Sequence, residues 1–405
     1  MKVNTIYHKP NEISKERKRD VQYVKFSKNE EHHPLMRERE FIRALNATKI
    51  DRMMSKPFIC ALSYHKEGIH VLCRHPSQPV FASGSFDNQL FVWNMNDRTA
   101  NREYNCEYSI KGLGMDQNGY LYAGQGAFVK CLDNNINYAC KSEIVCLEIG
   151  KDVHAGTFMG VEVFDIEKGN RKQCVKTEHS YCIQSSLVMP NVVCVGQQKG
   201  FTLLDSRIGE KIDTIRNGKT NDVAFNPKHG HILVSANEDG CVYNHDIRYL
   251  QDPCGVYRGH ANAVVAVEFD PLGVEIASGS SDKTIRIFEI NERKSRDVYH
   301  AKRMQNVFGL KYSHDSQFIV SGSDDGSIRL WRSHASIRPG PLSRKEKDNL
   351  EYSKALINKY KDVEEINRIS RHRFLPHILK TSLKNIHESY EAAQRRKAKR
   401  ESQNQ

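Results

Sequence analysis

The sequence predicts an all-β chain, a seven-bladed β-propeller with basic, largely helical extensions at both ends. Three observations predict it. First, a turn aspartate recurs six residues before a bulky position: Asp87 before Trp93, Asp239 before His245, Asp282 before Phe288, Asp325 before Trp331. Second, setting Leu132, Phe164 and Leu204 at the same position gives markers at 93, 132, 164, 204, 245, 288 and 331. Their intervals are 39, 32, 40, 41, 43 and 43 residues. A four-stranded blade runs about 40–45 residues, so seven markers mean seven blades. Third, the net charge of +12 lies outside the repeat. Residues 1–57 carry 14 Lys+Arg against 8 Asp+Glu and residues 333–405 carry 17 against 9, whereas residues 58–332 carry 30 against 32.

Three segments follow: a basic arm at 1–56, the propeller at 57–332 and a basic helical extension at 333–405. In the first, "HPLMREREFIRALNATKIDRMMSKPF" spaces Leu35, Phe41, Ile42, Leu45, Ile50, Met53 and Met54 for an amphipathic helix of one or two pieces. Arg37, Arg39, Arg43, Lys49 and Arg52 are its cations, candidates to face phosphate. "KPFICALSYH" at 56–65 is placed to close the ring as the outer strand of the last blade, with residues near 57–63 beside 324–332. An open sheet edge invites aggregation, and Pro339 and Pro341 make 333–340 a poor closing strand.

Along the repeat, each strong copy is a strand, a tight Asp turn and an alternating strand, as in "GSFDNQLFVW", "ANEDGCVYNH", "GSSDKTIRIF" and "GSDDGSIRLW". Blades two to four hold Gly126, Phe158 and Gln198 where the aspartate is due. The 32-residue interval implies shortened turns in the third blade.

The catalytic and cofactor motifs that would redirect the reading are missing. "RNGKT" at 216–220 has Asp213 where a phosphate loop needs its first glycine, and "KGLGMDQNG" lacks the third glycine of a dinucleotide fingerprint. The turn aspartates recur at blade turns, which makes them structural rather than paired acids. Eleven cysteines include no C-x-x-C pair, pointing to cytosol or nucleus. No stretch approaches a spanning helix, so no membrane partner is expected. No nucleophile–base set stands out, no cofactor or metal is implied, and the chain is expected to be a non-enzymatic platform.

The extension after the propeller is rich in helix formers. Ser343 is an N-cap with Glu346 at capping-box distance. Leu350, Ala355, Leu356 and Tyr360, then Ile366, Ile369 and Phe374, carry its apolar pattern until Pro376 breaks the helix. Within "RISRHRFLPHILK", Arg368, Arg371, His372, Arg373 and Lys380 stand among apolar residues. A segment pinned by packing can present guanidiniums to phosphate or unpaired bases, which suits RNA. The run Arg395, Arg396, Lys397, Lys399 and Arg400 is expected to be disordered or to fold on nucleic acid. Lys302 and Arg303, in the lead-in to the last blade, complete the RNA-contact candidates.

The repeat resembles the WD-repeat family. Gly259–His260 matches its usual lead-in, and "VWNM" and "LWRS" stand where the family often has Trp-Asp. The resemblance implies a hydrogen-bonded structural set, here nearly complete only in the first blade as His65, Ser83, Asp87 and Trp93. It also gives His260, with Asp239, Asp282, Asp325 and Trp331, structural roles. The combination of "REFIRALNATKIDRMMSKPF", "YHAKRMQNVFGLKYSHDSQFIVSGSDDGSIRLWRS" and "EYSKALINKYKDVEEINRISRHRFLPHILK" resembles the Sof family of nucleolar WD-repeat proteins. That resemblance implies a component of the small-subunit processome, a monomer within a large assembly. It would join pre-rRNA, the box C/D small nucleolar ribonucleoprotein and other processome proteins in rRNA processing. Relatives are also regarded as substrate receptors of cullin–RING ubiquitin ligases. The receptor signature, Asp-x-Arg after a third strand, has two matches here, Asp205 with Arg207 and Asp246 with Arg248.

Overall fold

The computed structural model describes residues 35–134, 136–166, 169–336, 340–373 and 375–403. Among them, 28 strands pair into seven four-stranded sheets. Among the described residues the chain divides into two compact units, one within residues 54–336 and 372–403, the other within residues 35–53 and 340–371.

The first unit holds the propeller. Six blades are consecutive strands within residues 69–105, 110–139, 144–176, 180–215, 220–257 and 264–299. The seventh joins residues 307–332 to the strand Phe58–Leu62. Inner strands touch their neighbours around the ring, the last meeting the first. The closing strand takes the anticipated place: Phe58 pairs with Trp331, Cys60 with Leu330 and Leu62 with Ile328. Its Phe58 ring meets Trp331 edge-on at 5.4 Å, and Tyr299 stacks on the same indole at 5.7 Å. One segment therefore covers a sheet edge and seals a core.

The seven markers share one register. Trp93 pairs with Phe81, Phe164 with Val153, Leu204 with Val193, His245 with Leu233, Phe288 with Ile276 and Trp331 with Ile319. Leu132 donates its backbone N–H to the Leu121 carbonyl at the equivalent point. All but Leu132 are buried. Every first strand carries a bulge at its second residue, between Ile69 and Val71 and at the six equivalent points. Bulges sharpen the local twist, as a narrow ring of sheets requires. At Gly112 a Cβ would lie 2.5 Å from Leu147 Cβ, so the second and third inner strands meet too closely for a side chain there.

Why three blades lack the turn aspartate is now physical. In those blades the second and third strands pair up to a two-residue turn: Gln125 with Phe128, Thr157 with Gly160, Gln197 with Gly200. The other blades leave a longer turn, as between Gly84 and Leu90. There the aspartate satisfies amides that strand pairing leaves open. Asp87 accepts from the backbone N–H groups of Lys66 and Gln89, both at 2.9 Å. Gly160 and Gly200 make the short version possible, with φ of +142° and +152° and partner carbonyls where a Cβ would stand.

The structural set forms in the first blade. His65 Nε2 lies 2.7 Å from Ser83 Oγ, Trp93 Nε1 donates to that oxygen at 2.8 Å, and His65 Nδ1 lies 3.5 Å from Asp87. It is not confined to that blade, which corrects the sequence reading. In the sixth blade His260 Nε2 is 2.7 Å from Ser278 Oγ and its Nδ1 is 3.0 Å from Asp282. Asp282 also accepts from the N–H of Ala261 and of Thr284. Phe288 replaces the indole, filling the volume without the N–H, so the polar relay survives loss of the Trp. Asp239 accepts from the N–H of Cys241 and the Tyr243 hydroxyl, and Asp325 pairs with Arg329. Trp331 Nε1 donates to Ser321 Oγ at 2.9 Å.

Five inner strands send charges to the axis: Arg74, Glu148, Asp222, Glu268 and Lys311. Lys311 Nζ is 2.6 Å from Glu268 and Arg74 is 3.7 Å from it. Burial pushes Glu148 up to about 7 and Asp222 up to about 6. No helix among the described residues is long and apolar enough to cross a membrane.

Candidate nucleic-acid interface

The two arms of the sequence meet in the smaller unit. Helix α1 (Met36–Met54) is one unbroken piece. Helix α2 (Arg344–Lys359) starts at the predicted capping box: Ser343 Oγ accepts from the Glu346 N–H, and the Ser343 N–H donates to Glu346 Oε2 at 3.0 Å. Helix α3 (Glu364–Ser370) follows. Ala44, Leu356 and Ile366 are buried together, with Phe41, Leu45 and Tyr360 against them. Glu40 ties the helices, accepting from Lys359 Nζ at 2.7 Å and from the Tyr360 hydroxyl at 3.1 Å. The Lys359 hydrogen bond holds its carboxyl below the usual carboxylate range.

This packing splits the apolar stripe read from the sequence. Phe41 and Leu45 turn inward, joined by the small residues Ala44 and Thr48, while Leu35, Ile42, Ile50, Met53 and Met54 stay exposed. Arg43 and Lys49 share that outer side, and Arg43 Nη1 donates to the Tyr352 hydroxyl at 3.4 Å. Arg37 is exposed as well, whereas Arg39 and Arg52 are half-buried. Leu350 and Ala355 face solvent rather than the core. At the end of α3, Arg368 and Arg371 are exposed.

In the propeller unit, His372 is exposed but Arg373 is not free to reach RNA. Its guanidinium donates to the Arg296 carbonyl and its Nε lies 4.0 Å from Asp297, on the outer strand of the sixth blade. Phe374 lies outside the described residues. Pro376 stands at the break, one residue before helix α4 (His377–Gln403). At 1.5 Å per residue α4 spans about 40 Å. Tyr390 anchors it, with the Arg258 guanidinium 4.5 Å from its ring centre. Lys380, Arg395, Arg396, Lys399 and Arg400 are exposed along it, and the Lys397 side chain is outside the described residues. Arg395 pairs with Glu391 at 3.1 Å. Lys302 and Arg303 are exposed in the lead-in to the seventh blade. The exposed candidates thus form separate sets on α1, on α3 and along α4. The Glu40, Arg258 and Tyr390 anchors were missed, because nothing in their local pattern distinguishes them from solvated polar residues.

Two family models match the chain. A family model described as the Sof1-like domain matches residues 333–405, and the WD domain, G-beta repeat model matches 56–94, 251–289 and 295–332. The chain is 32% identical to "DDB1- and CUL4-associated factor 13" of Danio rerio, over 98% of this chain and 94% of that protein. It is also 32% identical to "Protein SOF1" of Saccharomyces cerevisiae, over 95% and 88%. The chain belongs to the Sof1-like family of WD-repeat proteins. The family's own domain covers α2, α3 and α4, where most exposed candidate cations lie. Among solved structures, the WD40 propeller domain of Doa1 shares the fold at a TM-score of 0.59 and 17% identity, covering 68% of this chain and 96% of that one. The repeat model passes over residues 95–250, which hold blades two to four with their two-residue turns and the first three strands of blade five.

The Asp-x-Arg sites of this family member lie in the turns after the third strands of blades four and five. Each arginine folds onto its own aspartate, Arg207 on Asp205 at 3.0 Å and Arg248 on Asp246 at 2.7 Å. The Arg248 hydrogen bond pulls the Asp246 carboxyl down to about 2. Both guanidiniums remain largely exposed, at 66% and 70%.

Proposed function

We propose that this protein is a non-enzymatic scaffold of ribosome biogenesis, seated in the nucleolus within the small-subunit processome. Its propeller packs against processome proteins, and its helical extensions contact pre-rRNA and the box C/D small nucleolar ribonucleoprotein. The observation that carries this reading is the separation of charge. The extensions hold the whole basic excess, and Arg368, Arg371, Lys380, Arg395, Arg396, Lys399 and Arg400 keep their side chains exposed on helices. Exposed guanidiniums on a fixed backbone bind phosphate bidentately at low ordering cost. The test is crosslinking to RNA in cells, comparing the full chain with a variant carrying Glu at Arg368, Arg371, Arg395, Arg396 and Arg400. Pre-rRNA and guide small nucleolar RNA recovered with the wild type and at least tenfold depleted with the variant support the reading. Equal recovery from both chains sinks the assignment to these cations.

A second reading is favoured by one observation, the relatives named for association with DDB1 and CUL4. Arg207 and Arg248, displayed on adjacent blades, are the side chains a ligase adaptor would meet. Co-purification of an adaptor that is lost in the doubly substituted Arg207→Ala, Arg248→Ala chain, with no RNA recovered, would make it the better reading.

A further inference from the structure

A cleft of about 350 Å³ opens between blades three and four. It is lined from four places in the chain: Lys151, Asp152 and His154; Lys172 and Gln173; Pro190 and Asn191; Ser206 and Arg207. His154 is the unusual member. It lies next to Val153 on the second strand, and the same step from the marker partner in the other blades holds Ala82, Tyr122, Cys194, Val234, Ala277 and Val320. No other blade places an imidazole at this core position. The residue is 2% exposed and its Nδ1 has no hydrogen-bond partner among the described residues. Burial drives its pKa down to about 4, so it stays neutral, with one N–H to donate.

A buried polar group without a partner destabilises a fold, and each one asks for an explanation. Gln173 repeats the anomaly: its amide N–H donates to the Arg207 carbonyl at 2.8 Å, but its Oε1 is buried without a partner. The charges lining the cleft are three cations and one carboxylate. Lys172 is held by Asp152 at 2.5 Å and by Asp165 at 3.4 Å, while Lys151 is exposed and makes no ion pair with the described residues.

We propose that this cleft receives a peptide segment of a partner protein, with an anionic side chain, phosphoryl or carboxylate, seated toward His154 and Lys151. Lys172 is held by Asp152 and Asp165 and Arg207 by Asp205, so it is Lys151, at the mouth of the cleft, that calls for an anionic head. The unpartnered Gln173 oxygen calls for a donor on the same ligand, which a peptide N–H supplies and a bare anion does not. No Phe, Tyr or Trp lines the cleft, so it lacks the broad ring platforms on which successive bases of single-stranded RNA stack.

The test uses the full chain and three degenerate peptide libraries with phosphoserine, glutamate or serine fixed at the centre, read by fluorescence anisotropy. The proposal expects the phosphoserine or glutamate library to bind at least tenfold tighter than the serine library, and the stronger of the two identifies the head group. It expects Lys151→Glu and His154→Val each to weaken that binding at least tenfold. Valine is the residue of two other blades at this position, so His154→Val folds, and its melting temperature should match or exceed that of wild type. Equal binding of all three libraries, no binding by any, or binding indifferent to both substitutions overturns the proposal. So does a single-stranded oligouridine probe whose binding, rather than the peptides', depends on Lys151 and His154.

Discussion

Glu148 shows how a single side chain carries the state of the whole ring. It faces the axis with Asp222 and Glu268 as like charges and Lys311 and Arg74 as opposite ones. Burial outweighs the cations and raises its pKa from 4.5 to about 7. The folded chain therefore keeps a proton there that the unfolded chain has already lost between those pH values. The stability from this carboxyl is complete below about 4.5 and is lost as the pH rises through about 7. Glu148→Gln should stabilise the propeller at pH 8 by about 1–3 kcal/mol, since each pKa unit is worth about 1.4 kcal/mol, and change little at pH 4.5. Thermal unfolding of both chains at the two pH values checks this, and an equal difference at both would refute the assigned cause. None of this is legible in the sequence. Five residues far apart in the chain converge on the axis only once seven strands are ringed. By contrast His65, Ser83, Asp87 and Trp93 were legible, because a spacing repeated along the chain reports one local geometry. His260 with Asp282 was underrated because the indole, the most visible member of the set, is the one that phenylalanine can replace.

Among the elements, period did more than composition. The marker spacing located all seven blades, even those whose turns had lost their aspartate, because strand register sets the period and the turn residue only caps it. The closing strand Phe58–Leu62 was legible from its place before the first blade and from the prolines that disqualify the alternative. The union of α1 with α2 and α3 was not. An amphipathic stripe says that something must cover it, without saying what, and the contact centres on Ala44, a small residue that lets helices come close and draws no notice in a hydrophobic pattern. Ile366, fully buried at that junction, offers a test. Ile366→Ala should destabilise the helical unit by about 2–5 kcal/mol, the usual range for such a truncation. Amide exchange along α1 should then accelerate while the inner strands of the propeller keep their protection. Unchanged exchange in α1 would mean that the junction does not hold the helix.

For the whole molecule, the division between a near-neutral propeller and cationic extensions was legible from charge counts alone, but not which cations remain available. Arg373, which looked equivalent to Arg371, is spent on Arg296 and Asp297, and only the fold reveals the difference. The largest single set of exposed candidate cations lies on α4, and that has a measurable consequence. Each phosphate neutralised by a cation releases counterions, so the logarithm of the RNA association constant falls linearly with the logarithm of salt concentration, by about 0.7 per contact on single strands. Ending the chain at Pro376 removes Lys380, Lys384, Arg395, Arg396, Lys397, Lys399 and Arg400 while leaving Arg373 and the propeller in place. If half of those cations meet phosphate, the slope should become shallower by about 2–3. Titration of a pre-rRNA fragment at several salt concentrations, with full and shortened chains, measures it. A reduced slope with weaker binding at low salt places the polyanion on α4. An unchanged slope moves the contact to the cations on α1 and α3. A slope near zero for the full chain removes the electrostatic basis of RNA binding and leaves the exposed arginines of blades four and five as the interaction surface to explain.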